Sequence, residues 1–311
     1  MTANRDNPQH ILERVYGYKN FRGRQEEVIQ HVTHGGSAFV LMPTGGGKSL
    51  CYQIPAMCRD GVGVVISPLI ALMEDQVAAL KEYGVRAACV HSSAADVGQT
   101  LAQMRSGDID LVYVSPERLL TDDFINVLRQ TPLALFAIDE AHCVSQWGHD
   151  FRPEYMKLGK LAEMFPYVPR LALTATADTP TRRDIIEKLA LADGQTFIAG
   201  FDRPNIFYTV TEKNKSNQQL LDFIKTHHSH NSGIVYCLSR RKTDEVADFL
   251  NKQGLTALPY HAGMPAEQRA QNQTRFLKED GVIIVATIAF GMGIDKPDVR
   301  FVAHLDLPRS I

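Results

Sequence analysis

The chain has 311 residues, a length that suits two domains of ~150 residues each. Its 33 basic and 35 acidic residues leave a formal net charge of −2, which excludes a basic tail or a uniformly basic nucleic-acid binder but leaves room for a local basic groove. With 44% hydrophobic and 22% charged residues, the composition is that of a soluble globular protein rather than a disordered or collagen-like one.

In chain order, short and nearly continuous apolar runs predict strands at Ala38–Met42, Val62–Ser67, Leu111–Val114, Leu133–Ile138 and Leu171–Thr174. Continuous rather than alternating apolar residues suit strands covered on both faces. Amphipathic stretches predict helices between them. Leu69–Tyr83 carries Leu72, Val77 and Leu80, and Asp178–Ala190 carries Ile185, Ile186 and Leu189. After Gly200 the style repeats, with strands expected at Ile206–Val210, Gly233–Cys237, Ala257–Tyr260, Val282–Ala286 and Phe301–Leu305. Helices are expected at Ser216–Thr226, Lys242–Lys252 and Pro265–Leu277. The turn-rich stretch Phe201–Asn205 marks the boundary, giving domains 1–202 and 203–311. Alternation of this kind predicts an α/β fold, with a mainly parallel sheet and helices on both faces in each half.

No apolar run approaches the ~18 residues of a membrane span. The polar start MTANRDNPQH lacks the apolar core of a signal peptide. A cytoplasmic protein with no membrane partner is expected. Cys51, Cys58, Cys89, Cys143 and Cys237 are scattered without a C-x-x-C pair, which argues for reduced thiols rather than a disulfide framework or structural zinc.

Two motifs carry chemistry. The first strand runs into Pro43-Thr44-Gly45-Gly46-Gly47-Lys48-Ser49, then a helical stretch. Strand, glycine loop, Lys-Ser and helix is the order of a phosphate cradle. The glycines let backbone N–H groups converge on a phosphate, and the helix N-terminus adds partial positive charge. Lys48 can reach the β and γ phosphates of ATP, and Ser49 can bind Mg²⁺. The strict G-x-x-x-x-G-K-[ST] pattern is not met, because Met42 holds its first position. The plain alternative is a glycine turn with a solvated lysine. Leu133–Ile138 leads straight into Asp139-Glu140-Ala141-His142. Carboxylates at the carboxyl end of a buried strand lie where open α/β sheets bind ligands. Asp139 is expected to hold Mg²⁺ through its water shell, Glu140 to polarise the attacking water, and His142 to sense or relay the γ-phosphate state. Alone, such a pair is more often a helix N-terminal charge pair.

Read with their surroundings, these motifs resemble superfamily 2 helicases, and more closely the RecQ family of DNA helicases. The resemblance implies two tandem RecA-like domains. Phe21-Arg22-x-x-Gln25 resembles the adenine-reading motif, in which Gln25 would bind the adenine edge and Arg22 would help hold the nucleotide. Ser67–Gln76 and Ser115–Arg118 resemble strand-binding motifs, and Thr174-Ala175-Thr176 resembles the motif that couples hydrolysis to domain movement. Ser145–Tyr155 resembles the aromatic-rich loop that senses single-stranded DNA in RecQ proteins. Gln146, Trp147, Phe151 and Arg152 are its candidate DNA contacts: the aromatics can stack on bases without reading sequence, and Arg152 can pair with phosphate. A core position for Trp147 is the competing reading. In the second half, Tyr260–Met264 and Val285–Pro297 are similar to later RecQ motifs; Gly291 and Gly293 would allow close backbone approach, and Asp295 would face the nucleotide. Gly23, Arg24 and Leu238 depart from the residues usual at their places.

The implied activity is ATP- and Mg²⁺-dependent, 3′-to-5′ translocation on single-stranded DNA with unwinding of partly duplex DNA, in recombination and repair, by a monomer associated with the nucleoid if the source is bacterial. Family members continue past the equivalent of Ile311 into an arginine motif. The expectation is therefore a motor cut short in an incomplete second domain, which would be the less stable one, with little unwinding by the chain alone. The alternatives are a nucleotide- and DNA-binding remnant with little turnover, and an RNA helicase, since phosphate contacts alone do not separate the two nucleic acids.

Overall fold

A computed structural model describes residues 7–91, 97–146, 151–200, 205–287, 290 and 296–306. The chain divides into two compact units, Met1–Pro204 and Asn205–Ile311.

The first unit is built on a seven-stranded sheet of order β3-β4-β2-β5-β6-β1-β7. Its strands are β1 (Ala38–Leu41), β2 (Val62–Ile66), β3 (Ala87–Val90), β4 (Leu111–Val114), β5 (Leu133–Ile138), β6 (Arg170–Thr174) and β7 (Gln195–Ile198). Every pairing is parallel. A parallel sheet must be buried on both faces, and two clusters do this. Phe39, Val64, Val112, Phe136 and Phe124 pack on one face, and Val40, Val65, Tyr113, Leu135 and Tyr52 on the other. The strands alternate between the two clusters, so β1, β2, β4 and most of β5 read as unbroken apolar runs.

The helices used below are α1 (Pro8–Tyr16), α2 (Gln25–Thr33), α3 (Leu50–Cys58) and α4 (Ile70–Glu82). The start of α1 is set locally. Asn7 caps it by accepting from the His10 N–H at 2.8 Å, Pro8 stands in the first turn, and Gly17 at φ 72° ends it. On α4 the buried positions are Met73, Val77 and Leu80, so Met73 takes the place expected for Leu72.

The second unit carries a four-stranded, all-parallel sheet of order β11-β8-β10-β9. Its strands are β8 (Ser232–Tyr236), β9 (Thr256–Tyr260), β10 (Val282–Ala286) and β11 (Val299–His304). Helices Ser216–His227 and Arg240–Lys252 contribute Leu221, Ile224, Val246 and Leu250 to one core, and Ala266–Lys278 contributes Phe276 to the other. These are two parallel-sheet α/β domains of the RecA-like kind. One expected strand is absent: Ile206–Val210 lies in no strand or helix. Phe207, Tyr208 and Val210 are 91%, 80% and 83% exposed, because among the described residues the run pairs with no strand and enters no core. Among the described residues no helix is long and apolar enough to cross a membrane.

Candidate nucleotide site

The strand order places β6 between β5 and β1, so the carboxyl ends of these three strands lie side by side. The glycine loop follows β1, Asp139-Glu140 follows β5, and Thr174 closes β6. The loop is tied to its neighbour by the Met42 N–H, which donates to Thr174 O at 3.2 Å. At the end of β5 the Asp139 N–H donates to Ile66 O at 2.9 Å.

The loop turns at Gly45 and Gly47, with φ of 76° and 72°. These are left-handed values that a side chain disfavours. A Cβ on Gly47 would also collide with the Gln25 amide nitrogen. Lys48 curls back over the loop, its Nζ donating to Met42 O at 3.2 Å and Pro43 O at 3.4 Å. Burial lowers its pKa, against the pull of Asp139 and Glu140. Ser49 sits at the start of α3, its carbonyl accepting from the Gln53 N–H at 2.9 Å. Thr44 and Gly45 are exposed, and Gly46 through Ser49 are half-buried.

Gln25 is buried beneath this loop. Its Nε2 donates to Gly46 O at 3.1 Å and Gly47 O at 3.2 Å, while its Oε1 accepts from the Arg22 N–H at 2.8 Å. Without nucleotide, the amide that the motif resemblance assigns to the adenine edge is thus bonded to the loop. The Arg22 side chain is exposed, its guanidinium carbon 5.7 Å from the centre of the Tyr18 ring.

Glu140 holds φ 47° and ψ 44°, a left-handed conformation costing about 1–3 kcal/mol for a non-glycine residue. The kink ends β5 abruptly and starts the 3-10 turn Ala141–Val144. The Glu140 N–H donates to Asp139 Oδ1 at 3.0 Å, and Tyr155 Oη donates to Asp139 O at 2.9 Å. Burial, reinforced by the adjacent Glu140 charge, pushes the Asp139 carboxyl up to about 6. His142 is buried, with Nδ1 3.2 Å from Glu140 Oε2 and 2.9 Å from Thr174 Oγ1. Thr174 Oγ1 donates to Thr176 O at 3.1 Å, so its contact with the ring is satisfied when the proton sits on Nδ1. His142 therefore joins the acidic pair to Thr174-Ala175-Thr176.

These residues suit a hard divalent cation. Asp139 is a half-buried carboxylate beside a second carboxylate, a pair in need of positive charge, and a hydroxyl with substrate phosphates is the usual complement for Mg²⁺. The raised Asp139 pKa has a thermodynamic consequence. The folded chain keeps the Asp139 proton between pH ~4 and ~6, where the unfolded chain has lost it. This residue's contribution to stability is therefore greatest at low pH and falls as pH rises through about 6. Asp139→Asn removes that dependence. The melting temperature of the variant minus that of the parent, without nucleotide, is expected to increase from pH 4 to pH 7; a constant difference would reject the shift.

Of the candidate DNA contacts, Gln146 is exposed and Phe151 half-buried. The Arg152 N–H donates to Cys143 O at 2.9 Å, and its Nη1 donates to Pro68 O at 3.1 Å, tying it to the Ser67–Gln76 segment. Trp147, Gly291, Gly293 and Asp295 lie outside the described residues. The bond from Tyr155 Oη to Asp139 O and the Ser145–Asp184 hydrogen bond of 2.7 Å are not legible in the sequence, where nothing distinguishes a tyrosine that ties to a strand end from an ordinary core tyrosine. In the second unit, His261 is buried, its Nε2 3.0 Å from Asp244 Oδ1 and its Nδ1 accepting from the Gly263 N–H at 3.2 Å.

Comparison with known proteins adds the following. Residues 22–185 match the DEAD/DEAH box helicase family, and residues 212–311 match the helicase conserved C-terminal domain. The chain is 50% identical over 303 residues to an ATP-dependent DNA helicase RecQ of Pasteurella multocida, covering 97% of this chain and 48% of that protein. It is 41% identical over 307 residues to the protein of the same name from Bacillus subtilis, covering 97% and 52%. The chain thus spans about half the length of the curated relatives it matches. Among solved structures, S. cerevisiae Dbp5 bound to Gle1 and IP6 superposes with a TM-score of 0.73 at 15% identity, over 96% of this chain and 77% of that one. The Mycobacterium smegmatis helicase Lhr bound to single-stranded DNA and AMP-PNP gives 0.63 at 21%, over 93% and 42%. At these identities the structural likeness is one of fold.

Proposed function

We propose, for a chain that belongs to the DEAD/DEAH box helicases and within them to the RecQ family, that it is the ATP-driven motor region of a DNA helicase. The observation that carries the reading is the meeting of Lys48-Ser49, Asp139-Glu140 and Thr174 at the ends of adjacent parallel strands. ATP phosphates enter the glycine loop and draw Lys48 Nζ away from Met42 O and Pro43 O. Arg22 lies beside the base. Asp139 and Ser49 would hold Mg²⁺, which would supply positive charge against that developing on the phosphates. Glu140 accepts the proton of the attacking water, and His142 passes the change at Glu140 to Thr174 through their shared Nδ1. Of the second domain, residues 203–311, the motif resemblance makes Gly293 and Asp295 the candidate nucleotide-binding residues. Gln146, Trp147, Phe151 and Arg152 meet single-stranded DNA, with translocation 3′ to 5′ in the course of recombination and repair by a cytoplasmic monomer.

Steady-state ATP hydrolysis with and without single-stranded DNA tests the reading. Hydrolysis that DNA stimulates supports a motor, and stimulation by RNA alone would replace DNA as the substrate. Trp147→Ala is expected to lower the stimulated rate and leave the basal rate nearly intact, since one base-stacking contact is worth ~1–3 kcal/mol. An equal fall in both rates would make Trp147 structural.

A further inference from the structure

Behind the phosphate loop lies a buried polar cluster that the proposed chemistry does not use. Gln53 is 3% exposed and stands one helical turn after Ser49 on α3. Its Nε2 donates to Gln76 Oε1 of α4 at 3.2 Å and to Tyr113 Oη of β4 at 2.9 Å, and its Oε1 accepts from Tyr16 Oη of α1 at 3.0 Å. Tyr113 Oη donates onward to Tyr52 Oη at 3.5 Å. Four separate elements thus meet on one amide. Both of its hydrogens are used, and its orientation is fixed by its neighbours. Burial raises the pKa of Tyr16, Tyr52 and Tyr113, so the hydroxyls stay protonated and the network keeps one bonding pattern at neutral pH.

A buried amide of this kind is costly unless every function is paired, and an apolar residue would fill the same space more cheaply. Its placement suggests what it does. The Gln53 N–H is bonded to the Ser49 carbonyl, so its backbone follows the first turn of α3, where phosphates bind. Its side chain holds Gln76, at the far end of Ser67–Gln76, the segment that resembles a strand-binding motif. We propose that Gln53 is a positioning residue that links the phosphate loop to α4 through Gln76, so that nucleotide bound at Lys48-Ser49 alters the segment that meets the DNA strand. The link rests on the function proposed above for its two ends. The bond between α3 and α4 can be tested without DNA.

The test is hydrogen exchange of the α4 amides in the whole chain, with and without saturating Mg-AMP-PNP, with calorimetry to confirm nucleotide binding. In the parent, nucleotide is expected to slow α4 exchange by roughly fivefold or more, the lower end of common coupling factors. Gln53→Leu and Gln76→Leu are expected to abolish that response. Gln76→Glu, which keeps an oxygen to accept from Gln53 Nε2, is expected to preserve it. A merely structural amide would lower the melting temperature of Gln53→Leu and leave the response intact, which overturns the proposal. Loss of the response in Gln76→Glu as well as in Gln76→Leu also overturns it, as does a parent that binds nucleotide with no change in α4. The half-buried Gln76 variants decide the matter if Gln53→Leu fails to fold. Absence of nucleotide binding by the parent sinks the proposed function and this link together. A parent whose α4 responds to nucleotide but which binds no dT oligonucleotide keeps the link and loses the DNA reading.

Discussion

Glu140→Gln is expected to lower ATP turnover by roughly 10²–10⁴-fold, the usual contribution of a positioned general base, while Mg-ATP affinity stays within about twofold of the parent. The substitution preserves shape and an acceptor oxygen at the place now 3.2 Å from His142 Nδ1. It also keeps a residue of the same length at the left-handed kink, so the backbone change is small. What is lost is the carboxylate that takes the proton. Single-turnover hydrolysis with protein in excess separates this from binding, and an unchanged rate constant would refute the role. The substitution has a second consequence. The Glu140 charge helps hold the Asp139 carboxyl up, so its removal should let that carboxyl ionise at lower pH. Followed by the pH dependence of stability, this is independent of turnover.

Lys48→Ala is expected to weaken Mg-ATP binding by roughly 10- to 100-fold, as charge-assisted hydrogen bonds are worth ~1.5–3 kcal/mol. Without nucleotide, Lys48 Nζ donates to the two loop carbonyls Met42 O and Pro43 O. Titration calorimetry on both proteins measures the change, and equal affinities would leave Lys48 without a phosphate role.

Much of the fold was legible because parallel strands carry their own signal. Ala38–Leu41, Leu111–Val114 and Leu133–Ile138 are buried on both faces, so their apolar runs stand out without knowledge of their neighbours. The strands overlooked were β3 and β7. In β7 only Phe197 is buried, and an edge strand with one inward residue lacks the apolar run that marks a central one. The converse error was Ile206–Val210, whose apolar residues suit a strand but are mostly exposed here. Pairing is a property of two segments, and one segment's composition does not reveal it.

At the candidate site, the residues that bear charge on short, motif-like stretches could be named in advance. Asp139 and Glu140 follow directly on an apolar strand, and Lys48 and Ser49 follow one across a short glycine loop, so their place near the strand ends comes from local sequence alone. The order of the strands was a tertiary outcome. That β6 lies between β5 and β1, and so brings Thr174 to His142, depends on crossovers longer than any local pattern. The same holds for amides. Gln25 and Gln53 look alike as letters, polar residues near a glycine loop. Only packing decided that one is clamped beneath the loop and the other joins four elements, because a buried amide is defined by partners that lie up to 60 residues away along the chain.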